Sequence, residues 1–172
     1  MNLIENKERI FSQVAQAMET ANRTDQVNVI AVTKYVGIDQ AKALVDTGVC
    51  HIGENRVDKF LEKYQALKDE GLTWHLIGSL QRRKVKEVIN YVDYFHALDS
   101  MKLAQEIQKR ASHPIKCFIQ VNISGEESKH GFAPEELDAI LPELEGLDNL
   151  QIVGLMTMAP FEASQDELQA IF

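Results

Sequence analysis

The residues best placed to do chemistry in this chain stand where apolar runs stop. "VNVIAVTKYVG", Val27 to Gly37, is a run of β-branched and small apolar residues that reads as a buried strand and then ends on Lys34. A lysine amine held there, among neighbours that desolvate it, can attack a carbonyl and form a Schiff base. The same residue can be a cation stretching along its own stem to water. Position alone leaves both readings open.

Other runs also end on polar groups: Gly53-Glu54-Asn55, Gly78-Ser79, Asp99-Ser100, Gln120-Val121-Asn122 and Met156-Thr157-Met158. In "CFIQVNIS" the two-residue alternation puts Gln120 and Asn122 on one side of a buried strand, where each amide needs a ligand or a loop carbonyl as partner. His75, in "TWHLIGS", shares parity with Ile77 and Ser79 and is expected to face the inside, as a hydrogen-bonded core group or as part of a site. Glu54 and Asp99 could form an acid/base pair, but each precedes a predicted helix and is read as a cap. In "GSLQRRKVKEV", Arg82, Arg83, Lys84 and Lys86 in the first turns of a helix make either an anion site or a solvated basic face. The polar stretch "NISGEESKHGFAPEEL" is a long loop before a helix opened by Pro134 and two glutamates. Ser124 and Gly125 suit a turn, and Ser128, Lys129, His130 and Gly131 are expected to fold over the strand ends.

What positions these groups is a repeat. Strands are predicted to start near Val27, Val49, Thr73, Tyr94, Ile115 and Leu150. Helices are predicted over Leu3 to about Ala21, 38–47, 54–70, 80–90, 100–112, 134–145 and from Ser164 onward. Strand starts lie about 21 to 35 residues apart, room for one strand and one helix each, so the strands run parallel. The first strand is apolar on both faces, as a doubly covered strand should be. An open doubly wound sheet and a closed barrel both fit. The even rhythm favours the barrel, as does Tyr35-Val36-Gly37 after Lys34 in place of GxGxxG. A full (β/α)8 TIM barrel has eight strands, whereas six are counted here. "SQDELQAIF" breaks off on a forming helix, so the expectation is six of eight βα units plus an N-terminal helix, with an unclosed edge.

Of the 172 residues, 45% are hydrophobic and 26% charged, enough for one soluble domain with a real core across 1–172. A net charge of −8 argues against gripping nucleic acid. The N-terminal "MNLIENKERIFSQ" lacks a signal-peptide core, and no window approaches a membrane span. Cys50 and Cys117 lie far apart in apolar runs and are read as two reduced, buried thiols of a cytoplasmic protein. There is no Cys/His metal spacing, no P-loop and no GxSxG, so no metal is expected.

"AVTK", "HIGENRVDKF", "WHLIGSLQRRK", "ALDS", "FIQVNISGEESKHGF" and "VGLMTMAP", taken in order along nearly the whole chain, resemble the pyridoxal phosphate homeostasis proteins, whose barrel is similar to the N-terminal domain of alanine racemase. The resemblance implies a barrel of fold type III among pyridoxal-phosphate proteins. It also implies that Lys34 is the residue whose amine forms a Schiff base with the aldehyde of pyridoxal 5′-phosphate. Asn55, His75, Ser100, Asn122 and Met156 fall on family motifs and become candidate cofactor neighbours, Met156 by packing against the ring. The family's main phosphate-cradling segment, a Ser/Gly/Thr-rich stretch with a nearby arginine, lies after the sixth unit and is not in this chain. The implied role is a cytoplasmic carrier or regulator of pyridoxal phosphate without catalytic turnover, monomeric when full length, with pyridoxal-phosphate-dependent apoenzymes as recipients. The alternatives are a racemase-like enzyme using the same cofactor and a cofactor-free binding module using the basic helix at 82–86.

Overall fold

A computed structural model describes residues 2–125 and 130–172. It contains six parallel strands in one sheet, in the order of the sequence. They are β1 (Ala31–Val32), β2 (His51–Glu54), β3 (Thr73–Leu76), β4 (Tyr94–Leu98), β5 (Ile115–Gln120) and β6 (Leu150–Met156). The helices are α1 (Leu3–Thr20), α2 (Ile38–Val45), α3 (Val57–Leu67), α4 (Arg82–Val88), α5 (Met101–Arg110), α6 (Leu137–Glu145) and α7 (Gln165–Ile171). One helix separates each strand from the next, which is what a parallel ladder of neighbours requires. The sheet has β1 and β6 at its edges, so the expected open barrel of six βα units is what the chain forms.

Alternation divides the strands between two faces. Ile52, Trp74, Leu76, Phe95, Ala97, Cys117 and Ile119 point to the helices and meet Phe60, Leu67, Val85, Val88, Leu103 and Ile107 in a single buried cluster. The other, inner face carries His51, Gly53, His75, Tyr94 and Phe118. Helix starts follow their capping residues: the side chains of Asn2, Ser100 and Ser164 each accept a backbone N–H from the first turn of α1, α5 and α7.

Three expectations are corrected. The run from Val27 to Thr33 is not a doubly covered strand: only Ala31 and Val32 join the ladder, pairing with β2 alone, and as part of an edge Val27 and Val32 remain 37% and 49% exposed. Cys50 is exposed, because it precedes β2 at the open amino end of the sheet, while Cys117 is buried as expected. Neither Glu54 nor Asp99 caps a helix. The residue before α3 is Arg56, with no capping side chain, and α5 is capped by Ser100.

Candidate functional site

All six strands run the same way, so their carboxyl ends form one rim, and five of the six sequence candidates are on it. Lys34 lies in the turn after β1, half-buried, its Nζ 5.0 Å from the centroid of the Tyr35 ring. Among the described residues it has no carboxylate partner, unlike Lys42, Lys59, Lys63 and Lys84. Asn55 follows β2 and is half-buried. Its backbone passes so close to Gly78 that a Cβ there would lie 2.1 Å from the Asn55 carbonyl oxygen, so only glycine lets the β3 exit run alongside. Ser100, after β4, uses its Oγ to accept the Leu103 N–H at 3.3 Å. Asn122, after β5, donates its backbone N–H to the Phe132 carbonyl at 2.9 Å, and its Oδ1 accepts from the Gly125 N–H at 3.2 Å, which shapes the loop that leaves the rim. Met156 closes β6 opposite Gln120 and is partly buried.

His75 is the candidate that is not on the rim. It pairs in register with Gly53, two residues below Asn55, and only 3% of it is exposed. It is the middle member of a row: its Nε2 lies 2.9 Å from His51 Nδ1 and its Nδ1 2.9 Å from His96 Nε2, with its ring stacked on Tyr94 at 4.7 Å. Burial, reinforced by His96 and His51, pushes the His75 imidazole down to about 3, and burial also lowers His96. At neutral pH His75 and His96 are therefore uncharged imidazoles, set in a row with His51 across the inner face. Sequence reasoning singles out His75 alone, yet His51 and His96 carry a signal of their own: the three histidines are 24 and 21 residues apart, which is the βα repeat itself.

The second missed feature lies behind the rim. Glu54 is fully buried and makes an ion pair with Lys63 of α3, itself 2% exposed. Thr33 Oγ1 donates to Glu54 Oε1 at 2.5 Å, and Lys63 Nζ donates to the Thr33 carbonyl at 2.6 Å.

The remaining motifs settle into structural roles. Gln120 finds a loop carbonyl, donating Nε2 to His130 O at 3.1 Å. Phe132 donates its N–H back to Gln120 O, so residues 130–132 lie beside the end of β5, with Gly131 at φ +126° where a side chain would collide with the strand. His130 Nδ1 is 4.0 Å from Asp99. Ser128 and Lys129 lie outside the described residues. The basic helix is a solvated face: Lys84 pairs with Glu87 at 3.0 Å, Arg83 Nε donates to Gln81 Oε1, and Arg82 is exposed.

A parallel βα sheet with polar groups gathered on its carboxyl rim and a lysine in the first turn defines a class, the barrels of alanine racemase type. The family model described as "Alanine racemase, N-terminal domain" matches residues 6–171. The alanine racemase of Clostridium difficile 630 shares the fold, with a TM-score of 0.66 at 19% identity over 84% of this chain and 40% of that one. Within that class the chain belongs to the pyridoxal phosphate homeostasis protein family. The Aquifex aeolicus member is 37% identical over 176 residues, covering 100% of this chain and 77% of that protein. The Synechocystis sp. member is 32% identical over 167 residues, covering 95% and 77%. PipY of Synechococcus elongatus PCC7942, solved with PLP bound, superposes with a TM-score of 0.85 at 32% identity over 99% of this chain and 76% of PipY.

Proposed function

We propose that this chain binds pyridoxal 5′-phosphate at the carboxyl rim of its sheet through Lys34 and holds it for pyridoxal phosphate homeostasis, without sustained turnover. The observation that carries the reading is Lys34 itself: a half-buried lysine with no carboxylate partner among the described residues, in the first turn of the barrel. The residues on the rim fit the aldehyde and ring end of the cofactor. There is a primary amine for the carbonyl, Asn55 and Ser100 as polar neighbours, and the partly buried thioether of Met156 for an apolar contact. The bound cofactor supplies an aldehyde that condenses with the amine and releases water, which keeps it from reacting elsewhere. The protein's own contribution is to carry the Lys34 amine in the first turn of the rim, beside polar groups of which Ser100 and Asn122 are already engaged in hydrogen bonds. Ser100 Oγ is engaged as a helix cap and Asn122 Oδ1 in a loop turn, while racemisation needs an acid or base on each side of the reacting carbon. Relatives named for homeostasis, and a relative solved with PLP bound, support this reading. With it go a cytoplasmic location, a monomeric state of the full-length protein and delivery to apoenzymes that need the cofactor.

The test is borohydride reduction after adding pyridoxal phosphate, followed by peptide mass mapping. A reduced pyridoxyl group on Lys34 in preference to the other eleven lysines is the expected result. Labelling spread evenly over the lysines would return Lys34 to the role of a solvated cation. Steady turnover of alanine or serine by the loaded protein would make it an enzyme instead.

A further inference from the structure

We propose that Lys63, through its buried pair with Glu54, is the positioning residue for Lys34; this rests on the cofactor reading above and assigns a part of the chain that touches no ligand. β1 contributes only two residues to the ladder and pairs on one side only, so beyond the bond from the Thr33 N–H to β2 the sheet holds little of the chain where it leaves the strand.

Thr33, the residue before Lys34, is instead held at every polar atom. Its N–H donates to the Gly53 carbonyl at 3.0 Å, and its Oγ1 donates to Glu54 Oε1 at 2.5 Å. Its carbonyl accepts both the Val36 N–H at 3.1 Å and Lys63 Nζ at 2.6 Å. That carbonyl belongs to the peptide unit joining Thr33 to Lys34, so the Lys63 ammonium fixes the plane from which the Lys34 side chain departs. The peptide is planar, and only the soft torsions of Lys34 itself remain beyond it.

The chemistry of the pair points the same way. Lys63 and Glu54 are 2% and 0% exposed, and two charges withdrawn from water regain little net stability from meeting each other. The Glu54 carboxylate is not even saturated: Oε1 carries the contacts with both Lys63 and Thr33, while Oε2 has no hydrogen-bond partner among the described residues. Beyond each other, the two charged groups make their described hydrogen bonds to Thr33, the residue that precedes Lys34.

The experiment replaces the pair by an apolar one, Glu54→Met with Lys63→Met, which strands no charge and is expected to fold with little change in thermal midpoint. Wild type and variant are incubated with pyridoxal phosphate across pH 6–9, reduced with borohydride and mapped. The expected result is a folded variant whose labelling preference for Lys34 over surface lysines falls on the order of tenfold, since misplacing a reacting group by 1 Å can cost about a hundredfold. Lys63→Arg is the second variant. It keeps the charge opposite Glu54, but its bulkier head crowds the filled space at the Thr33 carbonyl, and a smaller fall of about threefold is expected. Wild-type preference in whichever variant folds overturns the proposal and leaves the pair a purely structural one. Failure of the wild type to label Lys34 preferentially overturns the cofactor reading instead, so the two failures are distinct.

Discussion

The histidine row makes the stability of this protein depend on pH in a direction and size that the structure sets. His75 is held at about 3 by burial and its two neighbours, while an imidazole in the unfolded chain titrates near 6.5. Between those values the unfolded chain binds a proton that the folded one does not. The contribution of His75 is therefore fully present above about pH 6.5 and is lost progressively as the pH falls toward 3. Linkage puts the loss between pH 7 and pH 5 at about 2 kcal/mol, with a limit of about 5 kcal/mol below pH 3. His96 shifts in the same direction, so the whole protein should lose at least the His75 share. The assay is urea unfolding at pH 7, 6 and 5 for the wild type and for His75→Phe, which retains a ring against Tyr94 but cannot titrate. The variant has its own stability at pH 7, because His51 and His96 each lose a partner, so only the change with pH is compared. The expected outcome is a fall from pH 7 to 5 that is about 2 kcal/mol shallower in the variant. Parallel curves would refute the reasoning, because they would mean that His75 titrates alike in the folded and unfolded chains.

Two simpler expectations concern single sites. Gly78→Ala puts a Cβ 2.1 Å from the Asn55 carbonyl oxygen, a backbone contact that no rotamer relieves. It should cost about 3 kcal/mol in denaturant unfolding, and a loss under about 1 kcal/mol would show that the two backbones part easily. A thiol reagent at pH 8 should modify one cysteine of the native protein, the exposed Cys50. Cys117 is buried, with its thiol pushed up to about 12, and should react only after denaturation, as peptide mapping would show.

Much of the architecture was legible because it rests on local spacing. The interval between apolar runs gave six parallel strands, the last helix starts at Ser164 as its pattern predicts, and Lys34 is where the first run ends. The errors share a cause. Glu54 was read as a helix cap because it lies just ahead of a helix, yet the side of β2 to which it points is decided by register with β1 and β3. Its partner left a trace in the sequence. Phe60, Lys63 and Leu67 form the buried stripe of α3 at helical spacing, and a lysine on such a stripe calls for a buried acceptor. The length of β1 was overestimated for a similar reason. β-branched residues state a preference for extended chain, but a ladder also needs a neighbour, and β1 has one on one side only.

Because successive residues of a strand face opposite ways, β2 serves two ends within three positions. Gly53 leaves the inner face bare where Ile30 and Ile77 close in, with a Cβ there lying 3.1 Å from Ile30. One residue on, Glu54 reaches behind the sheet to Lys63 and so to the peptide that carries Lys34. The histidine row occupies the inner face and the ion pair the outer one, with the backbone of the sheet between them. The two devices should therefore separate under mutation. Removing the titrating group at His75 should change the response of stability to pH and leave the Lys34 labelling preference at neutral pH largely as it was. Replacing the pair of Glu54 and Lys63 by methionines should do the reverse. An exchange of effects between the two variants would mean that the site and the core of this barrel are coupled through the sheet, and that β1 is held by more than the contacts at Thr33.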